Sequence, residues 1–566
     1  MDPHSGYIGQ LLVEKGMIKQ QQLVEVIEEH ERTGKPFTHI LVDFGFVKEE
    51  EITMALGQQL GMEVVKLREI EIPQDILDVI TPSTAKLYGV IPIRMKDNVV
   101  VVAMVDPFNP NVIDDISFLL GKEVKGAISN EEDILFAIEK YYGQEDESIE
   151  TLLNEMQTAL PEIEGIEEGE TADIASLQEL AREVPVVKLL NLILIQAIKD
   201  RASDVHFEPF EKEFKVRYRV DGALYEMVPP PKHLALAVTT RIKVMADMNI
   251  AERRLPQDGR IQLNVLGRNV DLRVSCLPTQ FGESIVMRIL DKTVVSLDLT
   301  QLGLKEDHLN SLQEMIERPN GIVIVTGPTG SGKTTTLYSC LKRVNAIDVK
   351  IITTEDPIEY EIEGIMQIAV KPDIGLTFAR CLRSILRQDP DIIMVGEVRD
   401  LETAQIAIQS SLTGHLVLTT LHTNDAPGCV TRLTDMGVEP FLITSTLVAA
   451  VAQRLLRTIC AQCKEAVQPS VDVLERLGIS LEDVKGVQFY HGKGCDNCNK
   501  TGYRGRTAVY EFLEIKDAIR DLILEKAPTA MIKQKARELG MRTLREDALL
   551  KLYEGKTTME EVLRET

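Results

Sequence analysis

The residues with the clearest chemistry are Gly327, Pro328, Thr329, Gly330, Ser331, Gly332, Lys333 and Thr334. They satisfy the spacing G-x-x-x-x-G-K-[ST] of a phosphate-binding loop. Glycines let consecutive backbone N–H groups turn toward one anion, and a helix N-terminus behind them adds partial positive charge. At this spacing Lys333 reaches the β- and γ-phosphates of a nucleotide, and the Thr334 hydroxyl can ligate Mg²⁺. The motif has meaning only between a strand and a helix. Gly321–Thr326 (GIVIVT) reads as a short buried strand, and Thr335–Val344 reads as the start of a helix, with Thr335 joining the nucleotide-binding set. ATP or GTP is the expected ligand.

Acids and a histidine follow in the order that a phosphate-loop enzyme needs. Asp391–Glu397 (DIIMVGE) reads as a buried strand ending in an acid, with Gly396-Glu397 where the usual motif has Asp. Such an acid lies beside the loop, where it can serve Mg²⁺ or polarise water. The apolar strand Lys350–Thr353 is followed by Glu355, Asp356 and Glu359, any of which could orient water or metal. His422 ends the strand pattern of Gly414–Asn424 and could sense a γ-phosphate; a histidine satisfied in the core fits the residues equally well. Upstream, Arg217, Arg219, Arg273 and Arg288 fall on predicted strands. Arginine set against developing phosphoryl charge accelerates transfer, often across a domain or subunit boundary. Taken singly, each of the four reads as a solvated strand face.

Of eight cysteines, Cys276, Cys340, Cys381 and Cys429 stand alone and read as small core residues. The others form two C-x-x-C pairs, Cys460/Cys463 and Cys495/Cys498. Paired pairs in a reducing compartment point to Zn²⁺ rather than disulfides, and four thiolates would close the coordination shell, making the site structural. A redox role is the alternative, though neither pair opens a thioredoxin-like βαβ unit.

These groups need several elements to position them, and 566 residues allow about three or four domains. Residues 1–62 hold a repeat offset by 29 residues from Gly16 to Gly45, each copy reading as two short helices joined at its glycine. Residues 63–143 alternate strand and helix as an α/β module, so 1–143 form one N-terminal unit. Residues 144–184 are rich in Glu and Asp with a single basic residue, Arg182, and read as a flexible charged linker that lets the N-terminal module move. Residues 185–295 read as a mixed α/β domain supplying the strand arginines. Residues 300–455 alternate helix and strand around a mostly parallel sheet. The cysteine insert follows at 456–510, and 511–566 read as helices.

The net charge of −25 disfavours a nucleic-acid binder and repels anionic lipid. No apolar run approaches the ~18 residues that span a bilayer, and the start MDPHSGYIGQ lacks the pattern of a signal peptide. A cytoplasmic location is expected, with any membrane association running through protein partners.

Taken together, the chain resembles the secretion ATPase superfamily of type II secretion and type IV pilus assembly. The resemblance rests on Pro185–Leu189, Ser203–Pro209 (SDVHFEP), Glu252–Arg260 (ERRLPQDGR), the phosphate loop, Glu355–Tyr360, Leu386–Asp400, Thr413–Asn424 and the four cysteines, and it covers about residues 180–566. It implies a RecA-like ATPase core across 300–566, preceded by a PAS-like domain, in a homohexameric ring at the cytoplasmic face of an inner membrane. It implies that Glu397 serves Mg²⁺ and water with Glu355 or Glu359 assisting, and that the four arginines approach the nucleotide. Type IV pilus assembly, through a membrane platform protein and a docking protein, is the first expectation; type II secretion is the alternative. The N-terminal repeat is similar to a cyclic-di-GMP-binding domain whose copies open with Arg-Leu-Gly. Here those positions read Tyr7-Ile8-Gly9 and Pro36-Phe37-Thr38, and each copy's closing Gln is His30 in the first and Gln59 in the second. Cyclic-di-GMP binding is therefore expected to be weak or lost.

Overall fold

The computed structural model describes residues 3–33, 37–96, 98–105, 107, 110–143, 184–265, 268–291, 298–469, 471–479, 484 and 486–566. The acidic stretch expected as a linker, 144–184, lies outside the described residues except for its last position. The chain divides into two compact units, Met1–Val294 and Val295–Thr566.

The first unit opens with four helices, Pro3–Glu14, Gln20–Thr33, Phe37–Asp43 and Glu49–Leu60. The expected repeat is visible in them: each pair is joined at a glycine with positive φ, 70° at Gly16 and 68° at Gly45. A Cβ would meet nothing at either position, so it is the left-handed backbone that calls for glycine. Next comes a four-stranded sheet of β1 (Glu63–Val64), β2 (Val90–Lys96), β3 (Val99–Met104) and β4 (Glu123–Ile128), in the order β1-β4-β3-β2. Helices Pro82–Tyr88, Pro110–Leu120 and Glu131–Tyr142 accompany it. The alternation expected for 63–143 did not include the helix at 82–88 or β4, a continuous six-residue strand that carries Lys125 and Gly126 among its apolar residues.

Helix Val184–Lys199 leads into a six-stranded sheet. Its strands are β5 (Asp204–Pro209), β6 (Phe214–Val220), β7 (Ala223–Glu226), β8 (Gln257–Val265), β9 (Arg268–Thr279) and β10 (Gly282–Asp291), ordered β7-β6-β5-β10-β9-β8. Leu189, Leu190 and Leu194 of that helix share one hydrophobic core with Leu87, Val100 and Val102 of the preceding module and with Val205, Phe207 and Met287 of this sheet. Asn191 Nδ2 donates to Thr84 Oγ1 at 3.1 Å, and Arg241 Nη2 to Tyr88 Oη at 3.2 Å. The two expected domains, 63–143 and 185–295, are therefore packed together inside the first unit. Burying this apolar surface stabilises the pairing at roughly 25 cal/mol per Å².

The second unit is built on a seven-stranded sheet. Its strands are β11 (Gly321–Thr326), β12 (Ile351–Glu355), β13 (Ile365–Ala369), β14 (Ile392–Val395), β15 (Leu416–Leu421), β16 (Leu447–Ile459) and β19 (Tyr503–Glu514), ordered β13-β12-β14-β15-β11-β16-β19. All neighbouring pairs are parallel except β16 and β19. Both faces are buried: Ile322, Ile324 and Val417 fall in one core and Val323, Val325 and Leu418 in the other. That two-sided burial explains why these strands read as unbroken apolar runs. A separate two-stranded ribbon, β17 (Lys464–Val467) with β18 (Phe489–Gly492), falls in the sequence between β16 and β19. The expected insert of 456–510 is thus narrower, because residues to Ile459 and from Tyr503 belong to sheet strands. Likewise the helices expected from 511 begin at Asp517, after β19 ends at Glu514. No described helix is long and apolar enough to cross a membrane.

Candidate functional site

In a parallel sheet every strand delivers its carboxyl end to the same edge, and loops at that edge are where α/β proteins bind ligands. The phosphate loop leaves β11, Gly396-Glu397 leave β14, and His422 leaves β15, so all three candidates share one edge. Gly332 caps helix Lys333–Val344 in a left-handed conformation, φ 86°. Gly327 also has positive φ, 152°, and a Cβ there would stand 2.5 Å from the Gln453 carbonyl oxygen. Both glycines therefore serve close approach of β16 to the loop as well as its turn.

Gln453 is the hidden support of this loop. It is buried in β16, accepts from Thr336 Oγ1 at 2.8 Å, and its amide nitrogen would lie 2.8 Å from a Cβ at Gly332. Thr326 ties the neighbouring strand in: its Oγ1 donates to Leu421 O at 3.0 Å and accepts from Thr423 N at 2.8 Å. Lys333 Nζ donates to Gly327 O and Pro328 O, both at 2.9 Å. Burial holds its ammonium below the usual range; Arg454 adds to that, and Glu397 opposes it. Ser331 Oγ is buried without a hydrogen-bond partner. A loop with an unsatisfied hydroxyl and an ammonium donating only to carbonyls fits a polyphosphate.

Glu397 is the acid that faces this loop. Its side chain is 12% exposed, with one oxygen 2.5 Å from Arg399 Nη2 and the other 3.3 Å from His422 Nε2. The carboxylate raises the Arg399 guanidinium above its ordinary range. The glycine before it also has a reason. A Cβ at Gly396 would sit 3.3 Å from both Glu355 Cα and Thr354 O, so an Asp there requires β14 or β12 to give by a few tenths of an ångström.

Glu355 is placed differently. It ends β12 buried at 3% exposure, and accepts from Thr353 Oγ1 at 2.5 Å, from Gln367 Nε2 at 3.0 Å and from Tyr338 Oη. Its oxygens are engaged within the sheet, which suits it to holding β12, β13 and the phosphate-loop helix together. Glu359 is half-buried nearby, its backbone N–H donating to Tyr338 Oη at 3.3 Å. The cores of Cys340, Cys381 and Cys429 are as the sequence suggests, all buried.

In the first unit the strand arginines form part of a row. Arg260 opposes Arg273, Arg273 opposes Arg288, Arg288 opposes Asp204, and Asp204 opposes Arg219, across β8, β9, β10, β5 and β6. Directly opposed like charges repel. Carboxylates offset this: Asp204 lies 3.1 Å from Arg288 and 3.5 Å from Arg219, Asp271 takes Arg260 at 2.6 Å, and Glu208 takes Arg217 at 2.6 Å. Four arginines sharing one row was not legible from spacing alone, because strand register sets it.

The four insert cysteines meet, their Sγ atoms all within 4.8 Å of one another. Cys460–Cys495, Cys463–Cys498 and Cys495–Cys498 are each 3.8 Å apart. Tetrahedral zinc with Zn–S of about 2.3 Å requires S–S separations of about 3.8 Å. Backbone N–H groups of Gly494, Cys495 and Gly502 point at the sulfurs, at 3.2–3.3 Å, as thiolates would require. The donor set and its spacing fit a closed structural metal site.

Two outcomes follow. Purified chain should carry about one zinc per chain by elemental analysis, and Cys460→Ser should lose the metal and lower the unfolding temperature. Gly396→Asp, although it restores the usual acid pair, should destabilise the second unit by ~1–3 kcal/mol through overpacking, read from urea unfolding.

Residues 179–564 match the Type II/IV secretion system protein family, and residues 60–148 match the MshEN domain. The chain is similar over its length to the type IV pilus assembly ATPase PilB of Myxococcus xanthus (strain DK1622), 46% identical over 565 residues and covering 99% of each chain. It is also similar to the type II secretion system protein E of Xanthomonas campestris pv. campestris, 45% identical over 563 residues, covering 99% of this chain and 98% of that one. The solved structure of the pilus retraction motor PilT with bound ADP is 26% identical, covering 66% of this chain and 94% of that one with a TM-score of 0.46. With its phosphate loop, acids and cysteine cluster all inside the matched span, the chain belongs to the Type II/IV secretion system protein family.

Proposed function

We propose that this chain is the motor ATPase of type IV pilus assembly. The observation that carries this reading is the convergence of Lys333, Glu397 and His422 on one sheet edge in a chain that aligns end to end with an assembly ATPase. ATP hydrolysis is the activity, and the conformational work it drives requires that nucleotide bind the competing states with different affinity.

In the proposed site, the loop's amides and Lys333 hold the phosphates and orient the γ-phosphoryl group. Glu397 positions the attacking water, and His422, on the same carboxylate, senses whether the γ-phosphate is present. Thr334 and Glu397 would hold Mg²⁺, which supplies charge neutralisation across the β- and γ-oxygens. Glu355 acts through Tyr338 and Gln367 as a positioning residue, leaving Glu359 as the assisting acid. Arg217, Arg219 and Arg288 serve phosphate only once their pairs with Glu208 and Asp204 open, and Arg273 lies between Arg260 and Arg288 in the same row.

The reading extends to the machine. A homohexamer is the proposed working form, cytoplasmic and held at the inner membrane by a platform protein and a docking protein. The six-stranded sheet is proposed to be the PAS-like domain of the superfamily, and the four cysteines to hold structural Zn²⁺. The MshEN match lies on 60–148, largely outside the helical repeat, whose two Arg-Leu-Gly positions lack arginine. We therefore assign the N-terminal module to docking, with cyclic-di-GMP binding weak or lost. No nucleic acid is assigned as partner, given the net charge of −25.

The second reading, a type II secretion motor driving a pseudopilus, is favoured by the equally complete alignment with a secretion protein E. One experiment separates the two. Glu397→Gln in the chromosomal copy should abolish surface pili while exported proteins still reach the medium. Normal pili with proteins held in the periplasm would make this the secretion motor instead.

A further inference from the structure

Two cations, not one, stand at the phosphate loop without a carboxylate. Lys333 donates only to Gly327 O and Pro328 O. Arg454, half-buried on β16, donates only to backbone oxygens: Nη1 to Gln453 O at 3.2 Å and Nη2 to Asn424 O at 2.9 Å. Among the described residues neither forms an ion pair. A half-buried guanidinium without an anion is costly, because its desolvation is not offset by a charge of opposite sign.

Arg454 is also close. Strand β16 runs parallel to β11 with Ala452 opposite Thr326, so Arg454 follows at the level of the loop itself. Its Nη1 lies 3.2 Å from where a Cβ of Gly327 would be. The two cations feel one another's charge. The nearest acids are already engaged elsewhere. Asp425 binds Lys533 at 3.0 Å, Glu565 binds Arg564 at 2.8 Å, and Glu511 accepts the Ala426 N–H at 2.9 Å. Glu397 is held by Arg399 and His422. Glu397 acts on Lys333, and Glu565, Asp425 and Glu511 act on Arg454, through space only, so neither cation has a carboxylate at ion-pair distance among the described residues.

We propose that Arg454 is a second phosphate-binding cation of this site, which with Lys333 takes the terminal phosphate oxygens of a nucleoside di- or triphosphate. The inference rests on the phosphate-site reading above and adds to it a residue on a strand remote in sequence from the loop. Its planar fork can hold two oxygens at once, where Lys333 presents a point charge. Because the same guanidinium holds Asn424 O, two residues from His422, it links the phosphates to the loop after β15.

The test is equilibrium binding of MgADP and adenosine to the full-length wild-type chain, Arg454→Gln and Arg454→Lys. Arg454→Gln should weaken MgADP by roughly ten-fold or more, as loss of a charge-assisted bond does, with adenosine binding unchanged and Arg454→Lys in between. Wild type that binds MgADP while Arg454→Gln binds it equally well overturns this inference alone, even if turnover falls, since that pattern belongs to a purely structural bond to Asn424. Wild type that does not bind MgADP overturns the phosphate-site reading and this inference with it. Should the variants not fold, arginine-directed dicarbonyl labelling of wild type decides. Protection of Arg454 by MgADP and by inorganic pyrophosphate, but not by adenosine, supports the assignment; equal labelling in all three overturns it.

Discussion

The chemistry of the second unit depends on β11 having a parallel neighbour on each side, β15 and β16. That single arrangement carries the ends of three strands to the phosphate loop from both flanks. From β15 come His422 and the Thr423 amide that Thr326 receives; from β16 come Gln453 under the loop and Arg454 beside it. An antiparallel neighbour would have sent those residues to the opposite edge. The glycines then become necessary as well as permissive: Gly327 and Gly332 lie so close to Gln453 that side chains at either would push β16 away.

The same close packing divides the work of the acids. Glu355 ends β12 and Glu397 follows β14, its hydrogen-bonded neighbour, yet one is held by groups around the sheet and the other faces the loop. Three donors fix Glu355 among Tyr338, Thr353 and Gln367. Among the described residues, Glu397 forms ion pairs with Arg399 and with His422, which leaves the same sheet edge. Gly396 makes this possible by letting β14 approach β12 without a side chain between them. A residue that looks like a lost acid in the motif thus sits where the strand pair is tightly packed.

Much of this was legible in the sequence, and for identifiable reasons. The phosphate loop, the glycine joints at Gly16 and Gly45, and the paired cysteines are local patterns whose spacing is itself the structure. The buried strands were readable because both faces of a parallel sheet are apolar. What escaped is what register and long-range packing decide. Gln453, Arg454 and Tyr338 lie on a strand and a helix whose apolar runs gave no sign that a polar residue there reaches the loop or Glu355. The alignment of Arg260, Arg273, Arg288 and Arg219 exists only once five strands are paired. The boundaries of the insert were drawn too wide because the end of β16 and the start of β19 carry polar residues that read as loop, such as Arg457 and Arg506. Helix 82–88 and the core it shares with helix 184–199 carry no local signal that the two modules pack together.

The proposed role of Glu397 lies mainly in hydrolysis, its contribution to holding Mg²⁺ running through water. The most direct measurement is of MgATP affinity and of phosphate release on the same preparation of wild-type and Glu397→Gln chain. The geometry predicts that affinity stays within a few-fold while turnover falls by about 10² or more, the loss expected when a group positioning the attacking water is removed. Turnover that survives in Glu397→Gln would contradict this assignment and return the role to the acids that follow β12.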